Sequence, residues 1–183
     1  MTPLLRFEGV SLRRGGRLLF EDLDFQIGPG DALHLRGPNG SGKSSLIRLA
    51  AGLLRAEQGS IERGELTLAD EALALDRELP LRRALNFWGG RVDGALDALE
   101  LTGLAEVPVR LLSAGQAKRA TLARVAASGA ALWLLDEPLN GLDSDSAARL
   151  DALVAGHLDR GGAVLAASHG PLGGSWNHLE LGA

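Results

Sequence analysis

Residues Gly37–Ser44 read GPNGSGKS. The octet satisfies G-x-x-x-x-G-K-[ST] at every defined position. Upstream, DALHLRG (31–37) is a short strand ending at Gly37. Downstream, Leu46, Ile47, Leu49, Ala50 and Leu53 recur at helical spacing, which predicts a helix from about Lys43 to Leu54. Strand, glycine-rich loop and helix together are the setting in which such a loop holds phosphate. The loop's N–H groups turn inward and the helix N-terminus adds its positive dipole end. Gly37, Pro38, Asn39, Gly40, Ser41, Gly42, Lys43, Ser44 and Ser45 are therefore the candidate phosphate cradle. Lys43 is placed on the β- and γ-phosphates, and Ser44 on Mg²⁺.

A phosphate loop needs an acidic partner from a neighbouring strand. ALWLLDEP (131–138) supplies it, with four apolar residues, Leu132–Leu135, running into Asp136 and Glu137. Asp136 is a candidate for the Mg²⁺ shell, and Glu137 for orienting or deprotonating an attacking water. His169 follows the apolar strand Ala163–Ala167, at the strand end where open α/β sheets bind ligands. A γ-phosphate contact is its expected role.

The rest of the chain bounds the answer. It has 183 residues, 45% of them hydrophobic and 23% charged, as expected of one globular domain. The net charge of −4 argues against a dedicated nucleic-acid binder. The absence of cysteine excludes disulfides, thiolate zinc sites and a thiol nucleophile. No leader-type segment and no run of spanning length is read; the longest apolar run, Ala130–Leu135, stops at Asp136.

Strands are expected at Leu4–Leu12, Leu18–Ile27, within Gly59–Leu68, at Ala131–Leu135, Ala163–Ala167 and Trp176–Leu181. Ala69–Leu101 leans helical with a break at Gly89–Gly90, and further helices are expected at about Gln116–Ala127 and Ser144–Leu158. Alternating strands and helices imply an α/β fold with a central, mostly parallel sheet.

LSAGQ (112–116) and NGLD (140–143) complete an ordered set with GPNGSGKS, LLDEP and SH (168–169). In this order the set resembles the ATP-binding subunits of ATP-binding cassette (ABC) transporters over nearly the whole chain. The resemblance implies a P-loop NTPase core of ABC ATPase type spanning 1–183, with an N-terminal antiparallel β part and a shortened helical lobe at about 69–127 that carries the signature. It implies ATP and Mg²⁺ as ligands, and two copies packed head to tail with each ATP held between them. Ser113, Gly115 and Gln116 would serve the partner's nucleotide, and Asp143 would line the same interface. It also implies integral membrane partners, no nucleic acid, and a peripheral position on the cytoplasmic face of the inner membrane. Flanking runs, among them RGGRLLFEDLDFQIGPGDALHLRG (14–37) and RGGAVLAASHGPL (160–172), are similar to the branch of that family serving cytochrome c maturation and heme export.

The sequence departs from the family pattern in two places. Lys43 and Ser113 lie only 70 positions apart, and the glutamine expected between them has no counterpart; Glu71 or Asp76 falls near its place. The N-terminal aromatic that stacks on adenine is not evident either, and Arg14 falls near that position. Three further readings stay open: the subunit of a different ABC transporter, an ATP-switched binding module with low turnover, and a soluble cassette ATPase acting on DNA or ribosomes. The last would be expected to carry long insertions or a tandem cassette.

Overall fold

The computed structural model describes residues 2–182. Two strands open the chain, β1 (Leu5–Arg14) and β2 (Arg17–Ile27), paired antiparallel from Leu5↔Ile27 to Arg14↔Arg17. The turn is the pair Gly15–Gly16, both at positive φ, as the tightest hairpins require. A third strand, β4 (Gln58–Arg63), joins the other edge of β1. The main sheet contains β3 (Ala32–Arg36), β5 (Leu66–Ala69), β6 (Leu132–Asp136), β7 (Ala163–Ala167) and β8 (Asn177–Glu180). Its order is β5-β6-β7-β3-β8 and every pairing is parallel.

The apolar runs explain why β6 and β7 are central. Every residue of both strands is buried, so both faces must be covered. Side chains alternate across the sheet, and two cores result. Leu132, Leu134, Ala163, Leu165 and Ala167 face β1, β2 and the first helix, α1 (Lys43–Ala50). Trp133, Leu135, Val164 and Ala166 face the other helices: α2 (Leu81–Asn86), α3 (Val92–Ala98), α4 (Ala114–Ala127) and α5 (Ser144–Asp159). Each leucine fully removed from water here contributes roughly 1.5–3 kcal/mol. Trp133 stacks on His157 of α5 at 3.9 Å, and burial holds the His157 imidazole below its ordinary pKa.

Three expectations need correcting. The helix after the phosphate loop ends at Ala50 rather than Leu54, because Gly52 takes a left-handed φ of 76° and turns the chain. The helical reading of 69–101 fails in its first third. Ala69 ends β5, and residues 70–80 form turns in which Asp70 Oδ1 accepts from the Ala72 N–H and Asp76 Oδ1 accepts from the Glu78 N–H. Such local bonds compete with helix, and Pro80 closes the stretch. The expected break at Gly89–Gly90 separates α2 from α3. α4 begins at Ala114, two residues before the expected Gln116.

The two glycines of that break are not equivalent. A methyl group added at Gly89 would overlap the Ala127 carbonyl oxygen, whereas one at Gly90 meets open space. Chemical denaturation should therefore show Gly89→Ala destabilised by about 1–3 kcal/mol and Gly90→Ala within about 0.5 kcal/mol of wild type.

Candidate nucleotide site

Parallel pairing of β6, β7 and β3 brings their C-terminal ends together. β3 runs into the phosphate loop, β6 ends at Asp136, and β7 leads to Ser168 and His169. In the loop, Gly37, Gly40 and Gly42 have φ of 139°, 78° and 103°, a region that side chains rarely adopt. Gly42 caps α1, so the loop's curvature delivers it to a helix N-terminus. Ser41 Oγ is buried without a hydrogen-bond partner among the described residues. An orphaned polar atom in such a loop fits an oxygen-rich ligand. Lys43 is buried, and its ammonium donates to the carbonyls of Gly37 at 2.7 Å and Pro38 at 3.1 Å.

The acidic half packs directly against this loop. Ser44 Oγ donates to Asp136 Oδ1 at 3.0 Å. Burial pushes the Asp136 carboxyl above the usual carboxylate range, against the opposing pull of the Ser44 hydroxyl. A hydroxyl and a desolvated carboxylate side by side are the hard oxygen donors that Mg²⁺ takes when phosphates complete its shell. Among the described residues, no cluster of three or more His, Cys, Asp or Glu could hold a metal ion.

Glu137 has φ 49°, a left-handed conformation costly for a non-glycine residue. Its N–H donates to the Ala167 carbonyl at 2.8 Å, and its carbonyl accepts from Lys118 Nζ at 3.0 Å. Its carboxylate meets His169, with Nε2 at 3.4 Å and the backbone N–H at 3.4 Å. Together, Arg14, Asn39, Gly40, Gly42, Lys43, Ser44, Ser45, Glu137 and His169 line one cleft of about 410 Å³. Arg14 is thus at the cleft, as its sequence position suggests.

The signature does not join this cleft. Ser113 and Gln116 form a capping box on α4: the Gln116 N–H donates to Ser113 Oγ at 3.3 Å, and the Ser113 N–H donates to Gln116 Oε1 at 2.9 Å. Ser113 is exposed, and Gly115 faces the chain near Gly141. Asp143 caps α5, accepting from the Ser146 N–H at 2.8 Å; hydrogen bonding from the Ser146 side chain, and then from its backbone, holds the carboxyl below the usual range. Ser113 is thus an N-cap with an exposed side chain, at the position where the family resemblance implies a contact with a partner's nucleotide.

Sequence reasoning missed several neighbours of the site. His34 on β3 is buried, and its Nε2 donates to the Ser168 carbonyl at 3.0 Å, bracing the peptide before His169. Burial keeps this imidazole below its ordinary pKa. Its only sequence signal is a histidine inside the strand that feeds the loop. A second cavity of about 320 Å³ is lined by Asp70, Glu71, Lys118, Asp136 and Glu137. Glu71 therefore stands beside the acidic pair, while Asp76 lines an apolar groove with Phe87 and Trp88.

Comparison with known proteins agrees with the geometry. The sequence profile described as "ABC transporter" matches residues 20–140. The chain belongs to the ABC transporter family, as an ATP-binding and ATP-hydrolysing subunit. It is 58% identical over 92% of its length to the cytochrome c biogenesis ATP-binding export protein CcmA of Sphingopyxis alaskensis, spanning 91% of that protein. The CcmA protein of Novosphingobium aromaticivorans is 56% identical over 89% of this chain and 87% of its own. The solved ATP-binding subunit of an ABC transporter shares the fold at a TM-score of 0.83, with 23% identity over 91% of this chain and 79% of that one. No helix among the described residues is long and apolar enough to cross a membrane.

A side chain at Gly37 would overlap the Leu181 carbonyl oxygen in a backbone conformation only glycine holds easily. Gly37→Ala should therefore weaken ATP binding by about tenfold or more, read by equilibrium titration with a fluorescent ATP analogue.

Proposed function

We propose that this chain energises a cytochrome c biogenesis exporter. It works as a head-to-tail homodimer docked from the cytoplasmic face onto integral membrane subunits. One observation carries the reading: Lys43, Ser44, Glu137 and His169 converge on a single cleft while Ser113, Gly115, Gln116 and Asp143 do not reach it. A cleft with its own phosphate loop and base, but with its signature pointing elsewhere, supports a site completed by a second copy. The names of the CcmA relatives support the exporter assignment.

Within the cleft, the roles follow from the chemistry of each group. The loop N–H groups and Ser41 hold phosphate oxygens, and Lys43 exchanges its loop carbonyls for the β- and γ-phosphates. Ser44 and Asp136 would hold Mg²⁺, which supplies charge neutralisation on the phosphates when bound. Glu137 orients water and accepts its proton, and His169, braced through His34 and Ser168, contacts the γ-phosphate. The partner's Ser113 hydroxyl and Gly115 N–H add donors at the end of a helix dipole. Catalysis is then positioning plus electrostatics, with no covalent intermediate. The missing glutamine, near whose place Glu71 stands beside Asp136 and Glu137, favours one second reading: a slow ATP switch. Steady-state phosphate release separates the two.

Glu137→Gln should bind ATP, accumulate as a dimer in size-exclusion chromatography with ATP, and hydrolyse about 100-fold more slowly or worse. Near-normal phosphate release would remove Glu137 as the base. Ser113→Arg should bind ATP with little change yet lose about tenfold or more of its hydrolysis. Unchanged hydrolysis would count against a site shared between copies.

A further inference from the structure

The helix that carries the signature and the peptide that carries Glu137 are tied together by one side chain. Lys118 lies on α4, little more than a turn beyond Ser113, and is partly buried. Its ammonium donates to the Glu137 carbonyl at 3.0 Å. It also faces the cavity walled by the carboxylates of Asp70, Glu71, Asp136 and Glu137.

We infer that Lys118 is a positioning residue for hydrolysis, which fixes the strained Glu137 peptide and makes its geometry depend on where the signature helix sits. This rests on the reading of Glu137 as the base. The argument is one of constraint. A non-glycine residue at φ 49° persists only where its surroundings over-determine it. β7 holds the Glu137 N–H, His169 meets the carboxylate, and Lys118 holds the carbonyl. The first two holds come from the β7 side of the core. The third comes from α4, the helix whose first turn would touch the partner's ATP. Movement of α4 against the sheet therefore reaches Glu137 through this bond. A charge-assisted bond to a carbonyl is stronger than a neutral one, and a lysine stem is long enough to span from helix to strand end. Burial lowers the Lys118 pKa while the surrounding carboxylates oppose that shift, consistent with an ammonium held in place by its setting.

The test is steady-state phosphate release by the full chain carrying Lys118→Met, Lys118→Arg or Glu137→Gln. Lys118→Met keeps the stem and removes the donor. It should lower kcat about tenfold, with KM for ATP within about twofold of wild type and the melting temperature unchanged. Lys118→Arg keeps donor and charge, and should return kcat to within about threefold of wild type. A wild-type kcat in Lys118→Met beside an inactive Glu137→Gln overturns the inference alone. So does a Lys118→Arg no better than Lys118→Met, or a loss seen only in KM or thermal stability. An active Glu137→Gln overturns the reading of Glu137 and this inference with it.

Discussion

The fully buried strand Leu132–Asp136 is the constraint on which the rest of the structure depends. Four apolar residues with both faces covered can lie only in the middle of a parallel sheet. The chain must then leave that sheet at a carboxylate, at the edge where β3 also ends. Packing thus forces Asp136 against Ser44, and Glu137 against the segment after β7. The carboxylate is costly to keep there, as its raised pKa records, and the Ser44 hydroxyl offsets only part of that cost. In the proposed site, a cation and phosphates would complete the shell around this desolvated carboxylate.

The same logic explains why the signature carries no catalytic side chain. Ser113 Oγ accepts the Gln116 N–H in the capping box, which fixes the first turn of α4 and leaves the hydroxyl proton free to donate. What the turn offers to a partner is a rigid set of polar groups and a helix dipole. Such preorganisation acts without any change of protonation. Lys118, little more than a turn on, ties this helix to the Glu137 peptide, and in the proposed dimer that bond links the donor to one nucleotide with the base for the other.

Much of this was legible in the residues. GPNGSGKS, ALWLLDEP and AVLAASH each place chemistry at the end of an apolar run, and apolar runs of that length between turn signals can only be buried strands. The antiparallel start came with the family resemblance, and the structure closes it with Gly15–Gly16, both at positive φ. The stretch 70–80 was not, since its helical periodicity competes with Asp70 and Asp76, whose short side chains bond their own backbone. Whether Glu71 or Asp76 lies by the site depends on those turns, and no spacing rule reveals it. His34 and Lys118 were invisible for a different reason. Their roles arise from bonds to carbonyls 134 and 19 residues away, which only the folded sheet brings within reach.

The central claim is that each active site is built from two copies of the chain. Subunit mixing tests it most directly. Lys43→Ala and Ser113→Arg subunits, each strongly impaired alone, are combined in equal amounts and assayed for phosphate release. Head-to-tail pairing puts both lesions into one composite site of the mixed dimer and leaves the other site intact. The mixture should recover to about a quarter of the wild-type rate, since about half the dimers are mixed and each keeps one of its two sites. A mixture that stays at the level of the separate variants contradicts the account.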